Sequence, residues 1–279
     1  MRYQTLIALL LSLCIGILTA CSQSPTVKSD SLTYDQIKGS GLANLCPQLS
    51  ETNRDIIPID PNQSYSLTDL CLQPTAFLVK REPVMKRQDT GFVPAKLLTR
   101  ASSALDHING SLNVESDGSL TFVEQGGIDF QPITVQLPGN KRVPMLFTIK
   151  GLVAKSQSGS DSLDPSTRFN GTFKVPSYRT SGFLDPRGRG LSVGYDSAVG
   201  LPSQADSEEF LRENVKTFET GQGKIFLNVT NVSRNTGEIA GLFESEQISD
   251  TDFGSKEPLD VKIQGLFYAR LGSDIALLP

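Results

Sequence analysis

The stretch Pro176–Gly190 holds the densest group of arginine side chains in the sequence. Arg179, Arg187 and Arg189 lie there together with one carboxylate, Asp185. Its prolines and glycines disfavour a regular helix or strand, so the composition predicts a shaped loop. Arginine presents a rigid fork of donors that suits carboxylates and other anions on a partner. We therefore interpret the stretch as a binding surface, and the alternative is a solvated connection between two strands.

A serine motif in the same region is a weak candidate for catalysis. Gly190–Gly194 reads Gly-Leu-Ser-Val-Gly and matches the pattern that surrounds a nucleophilic serine, here Ser192. That chemistry needs a histidine base and a strand–turn–helix context, whereas His107 is the only histidine and the surroundings are rich in β-strand patterns. His107 follows Asp106 in a polar turn, where we expect it to be exposed or hydrogen-bonded. The sequence therefore predicts no hydrolase, and substitution of Ser192 should leave the function intact.

Metal chemistry has little support in the sequence. With one histidine and four cysteines, the chain lacks the imidazoles and free thiolates that a zinc or non-haem iron site requires. The run Asp250–Val261 begins like a calcium-binding loop, but its glycine is the fifth residue rather than the sixth, and Val261 cannot act as the final ligand. We therefore assign no metal ligands and no resident cofactor, and leave open a weak calcium site with oxygen ligands elsewhere.

The length and charge of the chain limit the kind of domain that can hold the arginine-rich loop. The chain has 279 residues, enough for one large β domain or two modest ones. Its net charge of −4 disfavours non-specific binding to nucleic acid.

The N-terminus has the features of an export signal. An apolar run, Leu6–Leu18, follows Arg2 and is too short for an ordinary membrane-spanning helix. It leads into Leu18-Thr19-Ala20-Cys21, which resembles a bacterial lipobox, the motif in which the cysteine is acylated and becomes the mature N-terminus. We predict a signal peptide over residues 1–20, a lipid anchor at Cys21 and a polar tether over residues 21–31.

Export also sets the expected state of the cysteines. Cys14 is lost with the signal peptide and Cys21 is predicted to carry lipid, which leaves Cys46 and Cys71. An even pair in an exported protein most simply forms a disulfide, and two free thiols are the alternative.

Turn signals divide much of the remaining chain into short strands. Runs rich in Val, Ile, Phe and Thr flank turns that contain glycine, the pattern of β-hairpins. The predicted hairpins are Ser111–Glu115 with Ser119–Glu124, Ile133–Leu137 with Val143–Ile149, and Lys224–Val232 with Glu238–Glu246, followed by a last strand at Val261–Leu271. Repeated hairpins of this length favour an antiparallel sandwich or barrel.

The hairpin pattern stops between Val175 and Lys224. Insertions of that length inside a β domain are usually functional or disordered, and several aromatic residues in this one argue against disorder. The apolar stripe of Ser207–Phe218 predicts one short helix, and Leu32–Ile37 predicts a single helical turn. We therefore expect one domain over residues 32–279, with an ordered region inserted at about residues 176–223.

Long and idiosyncratic motifs add a family resemblance. They are Leu32–Cys46, Asp117–Glu124, Gly127–Pro132, Val175–Thr180, Leu184–Gly190, Gly237–Gln247 and Val261–Ala269, in this order along the chain. Together they resemble the photosystem II manganese-stabilising protein family over about residues 32–271. The resemblance implies an all-β fold, namely an eight-stranded antiparallel β-barrel with a large inserted head, and a disulfide that matches Cys46 and Cys71.

The same resemblance implies a non-catalytic role. Members of that family cap the lumenal face of photosystem II, stabilise a manganese–calcium cluster whose ligands belong to the membrane subunits, and help to retain chloride and calcium. The implied partners are the core subunits D1, D2, CP43 and CP47 and other extrinsic subunits. The implied location is the lumenal side of the thylakoid membrane or the periplasmic face of the cytoplasmic membrane. An exported β-barrel lipoprotein that binds another membrane complex is the alternative.

Site residues follow by motif match. Asp185 corresponds to a family aspartate on the proton and water exit path of the cluster. The three arginines of the loop lie where the family places docking charges, and Leu32, Tyr34 and Ile37 lie in a segment needed for binding to the core. Cys21 departs from the family pattern, because the family usually has a cleavable signal that releases a soluble protein.

Overall fold

The computed structural model describes residues 45–50, 52–80, 91–99, 103–159, 162–176, 220–251 and 256–273, together with the backbone of two short strands at 183–184 and 191–192. All of them belong to one compact unit, Leu32–Pro279. The described residues contain strands and turns but no helix. The predicted helix at Ser207–Phe218 and the predicted turn at Leu32–Ile37 lie outside the described residues.

Fifteen strands occur in the described part of the chain. In chain order they are β1 Ile57–Pro58, β2 Tyr65–Lys80, β3 Phe92–Leu97, β4 Leu105–Val114, β5 Leu120–Ile128, β6 Phe130–Gln136, β7 Arg142–Thr148, β8 Val153–Ser156, β9 Ser162–Leu163, β10 Arg168–Val175, β11 Phe183–Leu184, β12 Leu191–Ser192, β13 Gly221–Ser233, β14 Glu238–Ile248 and β15 Asp260–Ser273. No helix with the length and apolar character needed to cross a membrane is found among the residues searched, which are the described ones.

Eight of these strands close into an antiparallel barrel. The order around the wall is β2, β4, β5, β8, β10, β13, β14 and β15, and β15 pairs with β2 to complete the circle. Alternation sets the inner and outer faces: in β10, Phe169, Gly171, Phe173 and Val175 are buried and the residues between them are exposed. The eight-stranded antiparallel barrel implied by the family resemblance is therefore confirmed.

The three predicted hairpins and the last strand are also confirmed. They correspond to β4–β5, β6–β7, β13–β14 and β15. Each hairpin turns at a glycine with positive φ: Gly118 at 74°, Gly139 at 87° and Gly237 at 70°. Glycine populates this region without a steric penalty, which is why these turn signals were readable from the sequence.

The β6–β7 hairpin lies outside the barrel wall. It continues a branch in which β2 pairs with β3, β3 with β6, and β6 with β7. Ile133, Val135, Met145 and Phe147 on this branch join the main core, and the Phe147 ring stacks on Phe243 of β14 with 6.1 Å between centroids. The hairpin therefore covers the barrel end at which β10 ends and β13 begins, which we call the insertion end.

The N-terminal part of the described chain covers the opposite end. β1 pairs with β9 through Ile57 and Leu163, and the backbone of Asn53 and Asp55 bonds to Val232 at the end of β13. Ile59 and Leu163 are buried in the main core. Both ends of the barrel are thus closed by apolar side chains, and the interior is a packed core.

Irregular pairing explains why β2 was difficult to predict. The β2–β4 register shifts between Leu67 and Leu70 and again before Leu72, and Asp69 adopts a positive φ of 53°. Such bulges place an extra residue on one strand and break the alternation of buried and exposed positions.

Candidate docking surface

The insertion end is built on two fully paired strands. The β10–β13 ladder runs without a register shift to Val175 opposite Gly221, so residues 176–220 leave and re-enter the barrel at neighbouring positions. A Cβ atom built at Gly223 would overlap the ring of Phe173, and one at Gly221 would overlap Ile248. Glycine at these positions lets larger side chains pack over the strands. The inserted segment therefore starts from a closely packed base.

A charged cluster lies beside this base. The Asp129 carboxylate is almost fully buried, and Lys150 Nζ lies 3.1 Å from it. The same ammonium group lies 5.5 Å from the centre of the Phe130 ring. The Lys150 carbonyl accepts a hydrogen bond from the Lys174 amide at 2.9 Å. These contacts connect the β5–β6 junction to the end of β10, one residue before Val175.

Glu124 joins the same cluster from β5. Its carboxylate accepts a hydrogen bond from the Gly151 amide at 2.7 Å. Burial raises the pKa of Glu124, and the hydrogen bond from Gly151 partly opposes this rise because it stabilises the charged form. The negative charge of Asp129 raises the Glu124 pKa further. The insertion end thus contains a carboxyl group that takes up a proton more readily than an ordinary glutamate.

The outer face near the insertion end carries paired surface charges. Lys262 on β15 lies 2.9 Å from Glu244 and 3.1 Å from Glu246, and its ammonium group is 5.3 Å from the centre of the Phe92 ring. Hydrogen bonds to the two carboxylates raise the pKa of Lys262. These pairs are cross-strand neighbours, and their exposure to solvent makes them sensitive to salt.

The predicted disulfide is confirmed. Cys46 and Cys71 are bonded, with their Cα atoms 5.6 Å apart. The bond packs against Tyr268, and the Cys46 amide donates a hydrogen bond to Gln73 Oε1 at 2.9 Å. The disulfide therefore fixes the N-terminal part of the described chain to the outer face of β2.

Tyr268 connects the disulfide to a polar group on β14. Its hydroxyl donates a hydrogen bond to Glu238 at 2.7 Å. Burial and this hydrogen bond raise the pKa of Tyr268 to about 12. The tyrosine hydroxyl is therefore a donor over the whole physiological pH range.

Most of the predicted site residues lie outside the described residues. These are Asp185, Arg179, Arg187, Arg189, Leu32, Tyr34, Ile37 and Cys21. The backbone does show β11 paired with β12 through Leu184 opposite Leu191, so residues 185–190 connect these two strands.

The rejected catalytic and calcium candidates lie only partly within the described residues. The backbone places Ser192 in the short strand β12, paired with Phe183. His107 is about half exposed, and its nearest carboxylate oxygen, on Asp106, is 3.7 Å away. Val261 is buried in the core. No group of three His, Cys, Asp or Glu side chains suited to a metal ion occurs among the described residues.

Several contributors to the insertion end were missed from the sequence. Lys150 follows Asp129 by 21 residues, and it meets Asp129 and the neighbourhood of Glu124 because β5, β6 and β8 come together at one end of the barrel. An acidic residue between two predicted strands, as at Asp129, was the only local signal.

The described residues first define the class of fold to which the protein belongs. It is a closed β-barrel with a packed core, and the chain between β10 and β13 forms a long insertion at one end. The manganese-stabilising protein / photosystem II polypeptide family matches residues 30–271. The chain belongs to this family.

Individual relatives support the assignment over nearly the whole length. The chain is 59% identical over 272 residues to the photosystem II extrinsic protein O of Nostoc sp., covering 97% of this chain and 100% of the relative. It is 57% identical over 271 residues to the protein of the same name from Thermosynechococcus vestitus, covering 97% and 99%. It is 50% identical over 240 residues to the chloroplastic oxygen-evolving enhancer protein 1 of Volvox carteri, covering 86% and 79%. The family is one of accessory, non-catalytic subunits.

Proposed function

We propose that this protein is an extrinsic subunit of photosystem II that binds on the lumenal side and stabilises the oxygen-evolving manganese–calcium cluster. The observation that supports this most strongly is the 59% identity to a photosystem II extrinsic protein over 97% of the chain. The cluster itself is held by the partner subunits, so this chain contributes no metal ligand in the proposal.

Docking is assigned to the insertion end. The insertion carries Arg179, Arg187 and Arg189, whose guanidinium groups suit carboxylates on D1, D2, CP43, CP47 or another extrinsic subunit. The packed base at Gly221 and Gly223 supports this role, because a binding segment that starts from a rigid base loses less conformational entropy on docking. The segment that contains Leu32, Tyr34 and Ile37 is proposed as a second contact.

The proposed effect on the cluster is exclusion of bulk water. A barrel with a packed core covers the site without admitting solvent, which slows the escape of manganese, calcium and chloride. Lower local dielectric also strengthens the hydrogen bonds that remain. Asp185 is proposed to lie on a proton and water exit path, since a carboxylate among arginines stays ionised and accepts hydrogen bonds from water.

Attachment to the membrane is a separate part of the proposal. Acylation of Cys21 would hold the protein at the thylakoid or cytoplasmic membrane through a tether of about ten residues. Mass spectrometry of the mature N-terminus tests this directly. Acylated Cys21 at the N-terminus is the expected result, and an unmodified N-terminus at another residue contradicts it.

The docking role is tested by washing membranes. Concentrated calcium chloride screens ionic contacts, so it should release this protein from isolated membranes and lower the rate of oxygen evolution. If the lipid anchor is present, release should also require cleavage of the tether. Full oxygen evolution after verified removal of the protein would contradict the proposal.

The arginines are tested by rebinding. Arg187→Ala combined with Arg189→Ala should weaken rebinding to washed membranes at low salt, and the difference from wild type should shrink as salt rises. Wild-type affinity at every salt concentration would remove these arginines from the interface.

A further inference from the structure

The tip of the β6–β7 hairpin is a rigid protrusion. Pro138 and Gly139 form the centre of a turn that the Asn140 amide closes by bonding to the Leu137 carbonyl at 3.1 Å. Gly139 and Asn140 have φ values of 87° and 67°, and Gln136 Nε2 donates to Asn140 Oδ1 at 3.2 Å. Proline followed by a glycine with positive φ is the geometry of a type II turn. The tip is therefore held in one conformation although its side chains are exposed.

Two depressions flank this tip. One, with a volume of about 260 Å³, lies between the start of β7 and the chain that enters β15, and its lining includes Lys141, Arg142, Lys256 and Leu259. The other, about 460 Å³ and more open, lies between the tip and β3, and its lining includes Lys96. Together they make a rigid ridge with a groove on each side.

The ridge and grooves are predominantly basic among the described residues. Lys96, Lys141, Arg142 and Lys256 line them, against two carboxylates, Asp250 and Glu257. All four basic residues are exposed. Basic side chains on a preorganised ridge favour a partner surface with carboxylates, because the charges guide encounter and no loop ordering is needed on binding.

The ridge belongs to the same end of the barrel as the insertion. The hairpin leaves the wall at Asp129 and returns at Lys150, whose carbonyl bonds to Lys174 next to the base of the insertion. The Asp250 amide also bonds to the Pro144 carbonyl at 3.0 Å, which attaches the hairpin to the connection between β14 and β15. A partner that contacts the base of the insertion, at Val175 and Gly221, can therefore also reach the ridge.

We propose that the β6–β7 tip, with its two flanking grooves, is a second docking surface that binds a carboxylate-rich loop of a partner subunit in photosystem II. This proposal rests on the proposed function and adds an element that is independent of the arginine-rich loop. Lys141 and Arg142 make the direct ionic contacts, and Lys96 and Lys256 extend the basic surface on either side.

The test is rebinding of a charge-reversed protein to salt-washed photosystem II membranes. Lys141→Glu combined with Arg142→Glu should weaken rebinding about tenfold at low salt, and Lys141→Gln with Arg142→Gln should weaken it less. The matched control is Arg54→Glu with Arg234→Glu, because both residues are exposed and lie at the opposite end of the barrel. The control should change the affinity by less than about twofold.

Three outcomes decide the matter. Loss of affinity in the hairpin variant alone, with an unchanged unfolding temperature, supports the second docking surface. Wild-type affinity in the hairpin variant overturns the proposal. An equal loss of affinity in the control variant also overturns it, because the loss would then reflect the change in net charge alone. Failure of the wild-type protein to rebind would instead contradict the proposed function.

Discussion

The amide of Gln247 offers the sharpest test of how the insertion end is held together. This side chain is 3% exposed and lies against the edge of β7 that faces away from β6. Its Nε2 donates to the Leu146 carbonyl at 2.6 Å, and its Oε1 accepts from the Thr148 amide at 3.4 Å. One side-chain amide therefore satisfies two buried backbone groups that pair with no strand on that side within the described part of the chain, which attaches the hairpin to β14.

Gln247→Leu keeps the approximate volume and removes both hydrogen bonds. A buried polar group left without a partner costs about 1–3 kcal/mol. Loss of the partner of the Leu146 carbonyl should carry the full cost, and loss of the partner of the Thr148 amide should cost less because that hydrogen bond is long. The free energy of unfolding should therefore fall by about 2–4 kcal/mol. Gln264→Leu, an exposed change on the outer face of β15, is the control and should stay within about 0.5 kcal/mol.

Gln247→Glu adds a pH dependence with a definite sign. An ionised glutamate would place a second acceptor against the Leu146 carbonyl, so the folded state favours the protonated form and the pKa of the introduced carboxyl rises above its unfolded value of about 4.3. The free energy of unfolding of this variant should therefore be highest below the unfolded-state pKa of the glutamate. It should fall as the pH rises through the higher folded-state pKa.

The assay is urea unfolding followed by far-ultraviolet circular dichroism, because the chain has no tryptophan to report on the core. The measurement is made at neutral and mildly acidic pH for wild type and all three variants. Equal midpoints for wild type and Gln247→Leu would refute the reasoning, as would a Gln247→Glu variant whose deficit does not change with pH.

Further predictions concern other titratable groups. Tyr268→Phe should lower the free energy of unfolding at neutral pH by about 1–2 kcal/mol, because the hydrogen bond to Glu238 is lost. In the wild-type protein, chemical denaturation should show the free energy of unfolding falling between about pH 10 and 12, because Tyr268 keeps its proton to higher pH in the folded state than in the unfolded state. Hydrogen bonds from Ser119 and Lys155 lower the pKa of Asp117. The contribution of Asp117 to stability is therefore present above the pKa that it has in the unfolded chain, and it is lost as the pH falls. Thermal melts should show that Asp117→Asn is destabilised at neutral pH and closer to wild type in acid. Asp185→Asn should rebind normally to washed membranes yet slow oxygen release in flash experiments, and unchanged kinetics with normal binding would contradict the exit-path role.

Local turn chemistry made part of the fold predictable. The glycines at positions 118, 139 and 237 mark hairpins because few other residues accept their backbone angles, and the alternation in β15 is nearly regular. The Cys46–Cys71 bond followed from counting cysteines in a chain expected to be exported. Each of these signals lies within a short stretch of sequence.

Other features depend on long-range pairing and left no comparable signal. Closure of the barrel joins β2 to β15, nearly two hundred residues apart, as in Phe77 opposite Ile263. The first half of β2 is obscured by bulges around Asp69, and β3 is short and half-exposed. Gln247 reads as one more polar residue in a strand, although its amide secures the hairpin that closes the barrel.

The candidate site also has parts that the sequence indicated and parts that only the structure shows. Composition singled out the arginine-rich stretch Pro176–Gly190, and its binding role stays a prediction because its arginines lie outside the described residues. The cluster of Glu124, Asp129 and Lys150 was not predictable, since its members come together only when the branch folds over the barrel end. The basic ridge was recognised as a turn from Pro138 and Gly139, but its position beside the insertion required the sheet order.

The central claim is that binding of this protein preserves the manganese–calcium cluster of photosystem II. The most direct measurement is the oxygen-evolution rate and bound manganese of membranes depleted of this protein, incubated at low chloride, with and without the purified protein added back. Depleted membranes should lose manganese and activity, and the added protein should prevent both losses. Equal manganese retention and equal activity with and without the protein would contradict it.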